Sequence, residues 1–277
     1  MEAQTETPPD CDCSVHPSIF YLLATLVLTS CSTAMLCASI MTDHWEHVVW
    51  DHTALAALAN ASNTALHWLL DEKVAKIEDL SNPRSGTFLV PMNGGIWTMC
   101  VSLQDEEISI LSHVGFPVQP VCTNYMANDE DEEPRADWQH RMQNLSISCA
   151  LVCLIVLGSA ALVGMFGVCK HQISAVLVTG VMYLLAGLFA MFTLMIIHFK
   201  RIQRVSSRSA AHIGDGTDDG VIGPSLPAMP LLSAREFSTA WSLELGWGGV
   251  VLATITSLLW ILLSKIMRYN PISAMLL

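Results

Sequence analysis

The sequence predicts a mainly α-helical membrane protein, in which a bundle of four transmembrane helices carries a small extracellular antiparallel β-sheet. Of its 277 residues, 52% are hydrophobic and only 14% are charged, which is far more apolar than a soluble domain needs to be. Four runs of about 20 residues or more, each long enough to span a bilayer, lack Asp, Glu, Lys and Arg. They are residues 19–41, 145–168, 173–197 and 245–264. Between the first two runs, a turn sequence flanked by β-branched and aromatic residues predicts the sheet.

The spans divide the chain into alternating short and long connections. We predict a cytosolic N-terminal arm (1–17), a first span (18–41), a large extracellular loop with the sheet and an extra helix (42–143), a second span (144–168), a short cytosolic loop (169–172), a third span (173–198), a second extracellular loop (199–242), a fourth span (243–267) and a cytosolic tail (268–277). The first span is predicted to be retained, because its N-terminal flank has acidic residues but no Lys or Arg, unlike a secretory signal.

Two kinds of residue favour placing the two long loops outside the cell. The large loop contains two acceptor patterns for N-glycans, at Asn60 and Asn144, and Asn144 lies too near the membrane for a glycan. It also contains Cys100 and Cys122 outside the membrane segments, where oxidising conditions allow a disulfide. We therefore predict a multi-pass plasma-membrane protein with cytosolic termini and a glycan at Asn60.

The distribution of basic residues indicates the opposite orientation. Ten of the 13 Lys and Arg residues lie in the two long loops, whereas cytoplasmic loops normally carry the excess. The rule weakens for long loops, but Lys200, Arg201 and Arg204 follow the third span closely. The two indications conflict, and the prediction of extracellular loops depends mainly on the cysteines.

Two elements are predicted inside the large loop. The segment from Gly86 to Leu103 is predicted as a hairpin that turns at residues 93–95. Its second strand would place Trp97 and Met99 on one face, with residues 96, 98 and 100 on the other. The stretch from Thr64 to Leu80 has leucines and β-branched residues at helical spacing, which predicts the extra amphipathic helix.

The loop residues resemble the signature of the claudin superfamily, which includes peripheral myelin proteins and voltage-gated calcium-channel gamma subunits. That signature is a Trp, then Gly-Leu-Trp-x-x-Cys, then a second Cys. The matching residues are Trp45 or Trp50, then Gly95, Ile96 and Trp97, then Cys100 and Cys122, with Arg141 as the family's basic residue before the second span and Gly158, Gly164 and Gly167 as small packing residues in that span. The resemblance implies a Cys100–Cys122 disulfide, and the long loop is closer to gamma-type members.

Enzymatic function is not predicted. The chain has no Gly-x-Ser-x-Gly, phosphate-loop or His-Glu-x-x-His motif. His44, His47 and His52 cluster after the first span, but residues three apart on a strand point to opposite faces, so no metal is predicted. Cys149 and Cys153 form no Cys-x-x-Cys motif. No cofactor is predicted, and a net charge of -12 argues against nucleic acid.

Three peripheral features carry weaker predictions. The acidic run at residues 129–133 is either a solvated loop or a field that steers a basic partner or cations. Cys169 is a palmitoylation candidate, whereas unmodified thiols are favoured at Cys11 and Cys13. The C-terminal Ala-Met-Leu-Leu is a weak candidate for binding a PDZ protein.

Two functions are therefore open. The first is an auxiliary subunit of an ion channel or receptor, whose bundle packs beside that partner in the lipid bilayer. The second is a junction or adhesion protein, whose loops meet same-family proteins in cis or in trans and line a paracellular barrier or pore. The long first loop favours the auxiliary subunit.

Overall fold

Long helices dominate the computed structural model, which describes residues 17–62, 64–79, 82–116, 122–125, 137–207, 220–223 and 229–269. The helices are α1 (Pro17–Met41), α2 (His52–Ser62), α3 (Asp105–Ser112), α4 (Asp137–Cys169), α5 (Ile173–Ser207), α6 (Met229–Leu232) and α7 (Trp241–Tyr269). Of these, α1, α4, α5 and α7 are long and apolar enough to cross a membrane, and the four predicted spans lie on them. This supports a multi-pass membrane protein.

The four long helices form a bundle in which α5 packs against α4 and α7, and α7 packs against α1. Gly180 allows close approach of α5 and α7, because an added Cβ would lie 3.1 Å from Trp260 Cβ. The Trp260 indole donates to Thr29 Oγ1 at 2.9 Å, and the hydroxyls of Thr33 and Tyr183 are 2.9 Å apart. These interhelical bonds satisfy polar groups that no water would reach in a bilayer.

Two antiparallel sheets are joined to one end of the bundle. The strands are β1 (Glu46–Trp50), β2 (Ala65–Leu69), β3 (Val74–Asp79), β4 (Asn82–Leu89), β5 (Met92–Gly94), β6 (Thr98–Val101), β7 (Cys122–Asn124), β8 (Val221–Ile222) and β9 (Arg235–Thr239). Sheet A has the order β7-β6-β5-β1-β9, and sheet B has the order β2-β3-β4-β8. The sequence predicted one sheet from the first loop, whereas β8 and β9 come from the second.

The predicted helix over residues 64–80 is wrong, because this stretch is the β2–β3 hairpin. Leu66 lies opposite Ile77 in its register, and the turn residues Leu70, Asp71 and Glu72 all have positive φ. Strand β3 is buried on both faces, so its apolar residues are not confined to alternate positions, and their spacing imitates that of a helix. The loop does contain helices, but they are α2 and α3.

The predicted hairpin over residues 86–103 is only partly right. Asn93 and Gly94 belong to strand β5 rather than to the turn, which lies at residues 95–97. The segment before it forms β4 in the other sheet. Trp97 and Met99 also do not share a face, because Met99 is buried among the strands whereas Trp97 packs against the helix bundle.

Candidate functional site

The end of α1 is capped by side chains from the sheets. The last four carbonyls of a helix lack partners within the helix, so they need other donors. The indole Nε1 of Trp45 donates to Ser39 O at 2.8 Å, and that of Trp97 donates to Ile40 O at 2.7 Å. These two tryptophans therefore join two consecutive carbonyls of the first span to sheet A.

Gly95 is the point where the β5–β6 turn closes over the start of the first loop. A Cβ at Gly95 would lie 2.7 Å from Asp43 Cα, closer than real Cβ atoms approach backbone. The neighbouring Gly94 O accepts from the backbone N–H of Trp45 at 2.9 Å, and Ile96 is buried in the bundle core. A residue without a side chain is required here for the turn to lie on the helix end.

The second and third spans are joined to the same turn by polar side chains. Gln143 Nε2 on α4 donates to Ile96 O at 2.7 Å, while Gln143 Oε1 accepts from Lys200 Nζ on α5, also at 2.7 Å. The Lys200 ammonium lies 5.7 Å from the centre of the Tyr125 ring, within the range of a cation–π interaction. One of the basic residues that conflicted with the predicted orientation thus has a structural role on the sheet side.

The fourth span joins the end of α1 and the connection between α1 and β1 through its first residues. The backbone N–H of Ser242 donates to His44 O at 3.1 Å, and Ser39 Oγ donates to Ser242 O at 2.9 Å. Strand β9, which leads into α7, pairs with β1 along the full length of β1. We use the term collar for Trp45, Gly95, Trp97, Gln143, Lys200 and Ser242, through which all four spans contact sheet A.

The predicted disulfide is present. Cys100 on β6 and Cys122 on β7 are direct cross-strand partners and are bonded to each other. Met99, adjacent to Cys100, is buried in a cluster with Phe88 and Phe116. The disulfide therefore fixes the edge strand of sheet A beside the apolar core between the sheets.

Trp45 and Trp50, the two candidates for the first tryptophan of the signature, lie in different cores. Trp45 shares the bundle core with Ile96. Trp50 is buried beside α2 with Leu55, and its indole donates to Val90 O at 3.2 Å. Only Trp45 belongs to the collar, whereas Trp50 stabilises the layer farther from the bundle.

Two carboxylates with lowered pKa values fix the helices of the sheet layer. The pKa of Asp51 is lowered chiefly by a hydrogen bond from the Thr53 hydroxyl, and Asp51 Oδ1 also accepts backbone N–H groups at the start of α2. The pKa of Glu107 is lowered chiefly by the hydrogen bond from Lys73, and Glu107 also accepts from the backbone N–H of Gln104. The Lys73–Glu107 pair joins the β2–β3 turn to α3.

The other predicted site residues are not among the collar residues. Asn60 is exposed near the end of α2, Arg141 is exposed near the start of α4, and Cys169 is exposed at the end of α4. The acidic run 129–133, the N-terminal arm with its cysteines, most of the segment 206–228 and the tail from residue 270 lie outside the described residues.

The sequence analysis missed three of the six collar residues, Gln143, Lys200 and Ser242. Each is a polar residue at the boundary of a span, and that position alone does not distinguish a collar residue from an ordinary solvated one. One signal for these residues was present in the sequence. Lys200 lies close after the third span on the side that the cysteines place outside the cell, where the positive-inside rule does not expect a basic residue.

No protein-family model matches this chain, and no curated protein matches it. The case for a function therefore depends on the residues and on the geometry described above.

Proposed function

We propose that this chain is a non-enzymatic, claudin-like four-span protein of the plasma membrane, which acts as an auxiliary subunit of an ion channel or receptor. The observation that carries the proposal is the collar, through which all four spans contact sheet A. The sheets are joined to every span. A partner that binds the sheets would therefore also act on the helices that lie beside it in the membrane.

The residues of sheet A support the claudin-like part of the proposal. Trp45, Gly95 and Trp97 meet at the end of the first span, and the disulfide closes the same sheet. The resemblance depends on these residue types at these spacings, and Trp45, Gly95 and Trp97 lie together at one end of the first span. The large first loop holds seven of the nine strands that the described residues form, which supports placement near the long-loop gamma-type members.

The disulfide also supports the proposed sidedness. Disulfides persist in oxidising compartments and are rare in the cytosol, so a bonded Cys100–Cys122 pair favours sheets outside the cell and cytosolic termini. The positive-inside rule counts flanking basic residues, but Lys200 is held by Gln143 in the collar and serves the fold on the sheet side.

The outer surface of the bundle offers the second contact that an auxiliary subunit needs. On α4, Ile155 and Leu162 are strongly exposed, and an added Cβ at Gly158 would meet nothing within 4 Å. Small residues between large apolar ones allow close packing of another transmembrane helix. By contrast, Gly164 and Gly167 on the same helix face α5.

The proposal is tested by recovering the endogenously tagged chain in mild detergent and by imaging it in the same cells. We expect a channel or receptor to be enriched, and substitution of the α4 surface (Gly158→Leu) to reduce its recovery while surface delivery is retained. Staining confined to cell contacts, with no channel recovered, would refute the auxiliary-subunit proposal and favour the junction alternative.

Sidedness is tested separately at Asn60. An epitope inserted after α2 should be reached by antibody on unpermeabilised cells. Glycosidase treatment should increase the mobility of the wild-type chain but not that of Asn60→Gln, whereas Asn144→Gln should still respond. An epitope reached only after permeabilisation would contradict the orientation without bearing on the fold.

A further inference from the structure

Two imidazoles meet on one amide at the start of sheet A. His44 lies just before β1, and His47 lies within β1 opposite Asn93 on β5. The His44 and His47 rings are 6.0 Å apart between centroids and nearly perpendicular. His44 is not part of the strand, so the expectation that residues three apart point to opposite faces does not apply to this pair.

The hydrogen bonds define which nitrogens carry hydrogen. Asp43 Oδ1 lies 2.7 Å from His44 Nδ1, and a carboxylate only accepts, so Nδ1 is the protonated nitrogen. His44 Nε2 then directs its lone pair toward the Asn93 amide nitrogen, 3.4 Å away. On the other side of the amide, His47 Nδ1 is hydrogen-bonded to Asn93 Oδ1.

We propose that His44 and His47 bind a transition-metal dication such as Zn²⁺ or Cu²⁺, with Asn93 Oδ1 as an additional oxygen ligand. Imidazole nitrogens suit these metals, whereas Ca²⁺ and Mg²⁺ prefer oxygen. Bonds of about 2.0–2.1 Å from one Zn²⁺ to two imidazoles place the ring centroids roughly 5 to 6.5 Å apart. The observed separation of 6.0 Å lies in that range.

Asp43 prepares one of the two ligands. A metal-binding histidine usually donates its second N–H to a carboxylate or carbonyl, which fixes the ring and makes the ligating nitrogen more basic. The Asp43–His44 bond provides this arrangement and leaves Nε2 on the side of Asn93 and His47. Metal binding at His47 Nδ1 requires the tautomer that carries hydrogen on Nε2, so the bond from His47 Nδ1 to Asn93 Oδ1 is replaced by the bonds of both atoms to the metal.

The site is accessible to solvent from the His44 side. The side chains of Asp43 and His44 are each about one-third exposed, at 35% and 36%, so a hydrated ion can reach them. Within the described part of the chain, no group of three or more His, Cys, Asp or Glu side chains is placed to hold a metal. Water would complete the coordination shell, as it does in sites that exchange their ligands rather than in closed structural zinc sites.

A bound metal would join three parts of the fold. His44 belongs to the connection from α1, His47 and Asn93 belong to neighbouring strands, and the backbone of His44 accepts from the first turn of α7. The His44 ring also packs 5.7 Å from the ring of Trp241. The ion would therefore act at the position where sheet A meets the first and fourth spans.

The experiment titrates the purified full-length chain in detergent with Cu²⁺, followed by electron paramagnetic resonance, and with Zn²⁺ against a chromophoric competitor. One copper with two nitrogen ligands is expected in the wild type. His44→Gln and His47→Gln should each lose one nitrogen signal and at least tenfold in Zn²⁺ affinity. Asp43→Asn should keep both nitrogens and lose about 10- to 100-fold in affinity.

His67→Gln is the matched control, because that ring is 60% exposed on β2, where its Nε2 lies 3.8 Å from a carboxylate oxygen of Glu78. It should bind like the wild type. The proposal is overturned if the wild type binds neither metal, or if His44→Gln and His47→Gln retain its affinity and nitrogen count, which would locate the ligands elsewhere. Circular dichroism of each variant establishes that it is folded, and Asp43→Asn tests the site with an almost unchanged side-chain shape.

Discussion

Substituting Trp97 with Phe tests whether the collar holds the sheets by capping the first span. The indole N–H of Trp97 donates to Ile40 O at 2.7 Å, and that carbonyl is among the last four of α1. Phenylalanine keeps an aromatic ring but has no donor. Because the helix offers no N–H at this position, the substitution leaves Ile40 O without its partner.

The size of the effect follows from burial. Leaving a buried polar group unsatisfied costs about 1 to 3 kcal/mol. Trp97 is half-buried, so we expect Trp97→Phe to lower the free energy of unfolding by about 1 to 2 kcal/mol. Trp45 is only 3% exposed, but Ser39 O also lies 3.2 Å from the Thr42 hydroxyl, so Trp45→Phe should cost about 1 to 2 kcal/mol as well. Trp247, 38% exposed on α7, provides the control, and Trp247→Phe should change stability by less than about 0.5 kcal/mol.

The measurement is unfolding of the purified chain by SDS in mixed micelles, followed by circular dichroism because fluorescence would itself change with tryptophan content. Surface biotinylation in cells gives a second readout, in which the two capping variants should be delivered less well than the control. If Trp45→Phe and Trp97→Phe unfold at the same SDS fraction as Trp247→Phe, the indole bonds do not hold the sheets on the bundle.

Three further predictions concern the same layer. Cys100→Ser removes the disulfide, whose cysteines are 22 residues apart in sequence, and should lower the free energy of unfolding by about 3 kcal/mol. Its mobility on non-reducing gels should change and its level at the cell surface should fall. The control Cys149→Ser should show neither effect. Gly95→Ala should cost about 1 to 3 kcal/mol in SDS unfolding because of its backbone clash, unlike Gly158→Ala, which has open space. The pKa of Glu107 is lowered on folding, so its contribution is present above the ordinary glutamate pKa and is lost as pH falls through the lower folded value. As pH falls below the ordinary glutamate pKa, Glu107→Gln should therefore lose less stability than the wild type, by about 0.2 to 1 kcal/mol, and an unchanged acid profile would contradict this.

The spans could be predicted from sequence because the cost of burying a charge acts locally. A charge at the centre of a membrane helix costs roughly 3 kcal/mol on insertion scales, so uncharged runs identify the spans without knowledge of their neighbours. Helix α5 itself continues beyond the predicted third span, to Ser207. Polar and basic residues can extend a helix beyond the membrane, and hydropathy does not detect that extension.

The sheets were harder to predict because their pairing is not local. Glu46 pairs with Thr239 in sheet A, although almost the whole chain lies between them. No local pattern in the second loop indicates that β9 covers β1. The disulfide was easier to predict, because Cys100 and Cys122 are the two cysteines of the large loop and the family resemblance implied their pairing.

The collar explains how the first loop can be long without moving the signature residues apart. Strand β1 leaves the bundle and β5 returns beside it, with Glu46 opposite Gly94. The chain between these strands forms α2 and most of sheet B, and its two ends are fixed next to each other by that pairing. Trp45 and Trp97 therefore reach consecutive carbonyls of α1 although 51 residues lie between them in sequence. No collar residue lies in the chain between β1 and β5, so the attachment to the bundle depends on the residues at the two ends of that chain.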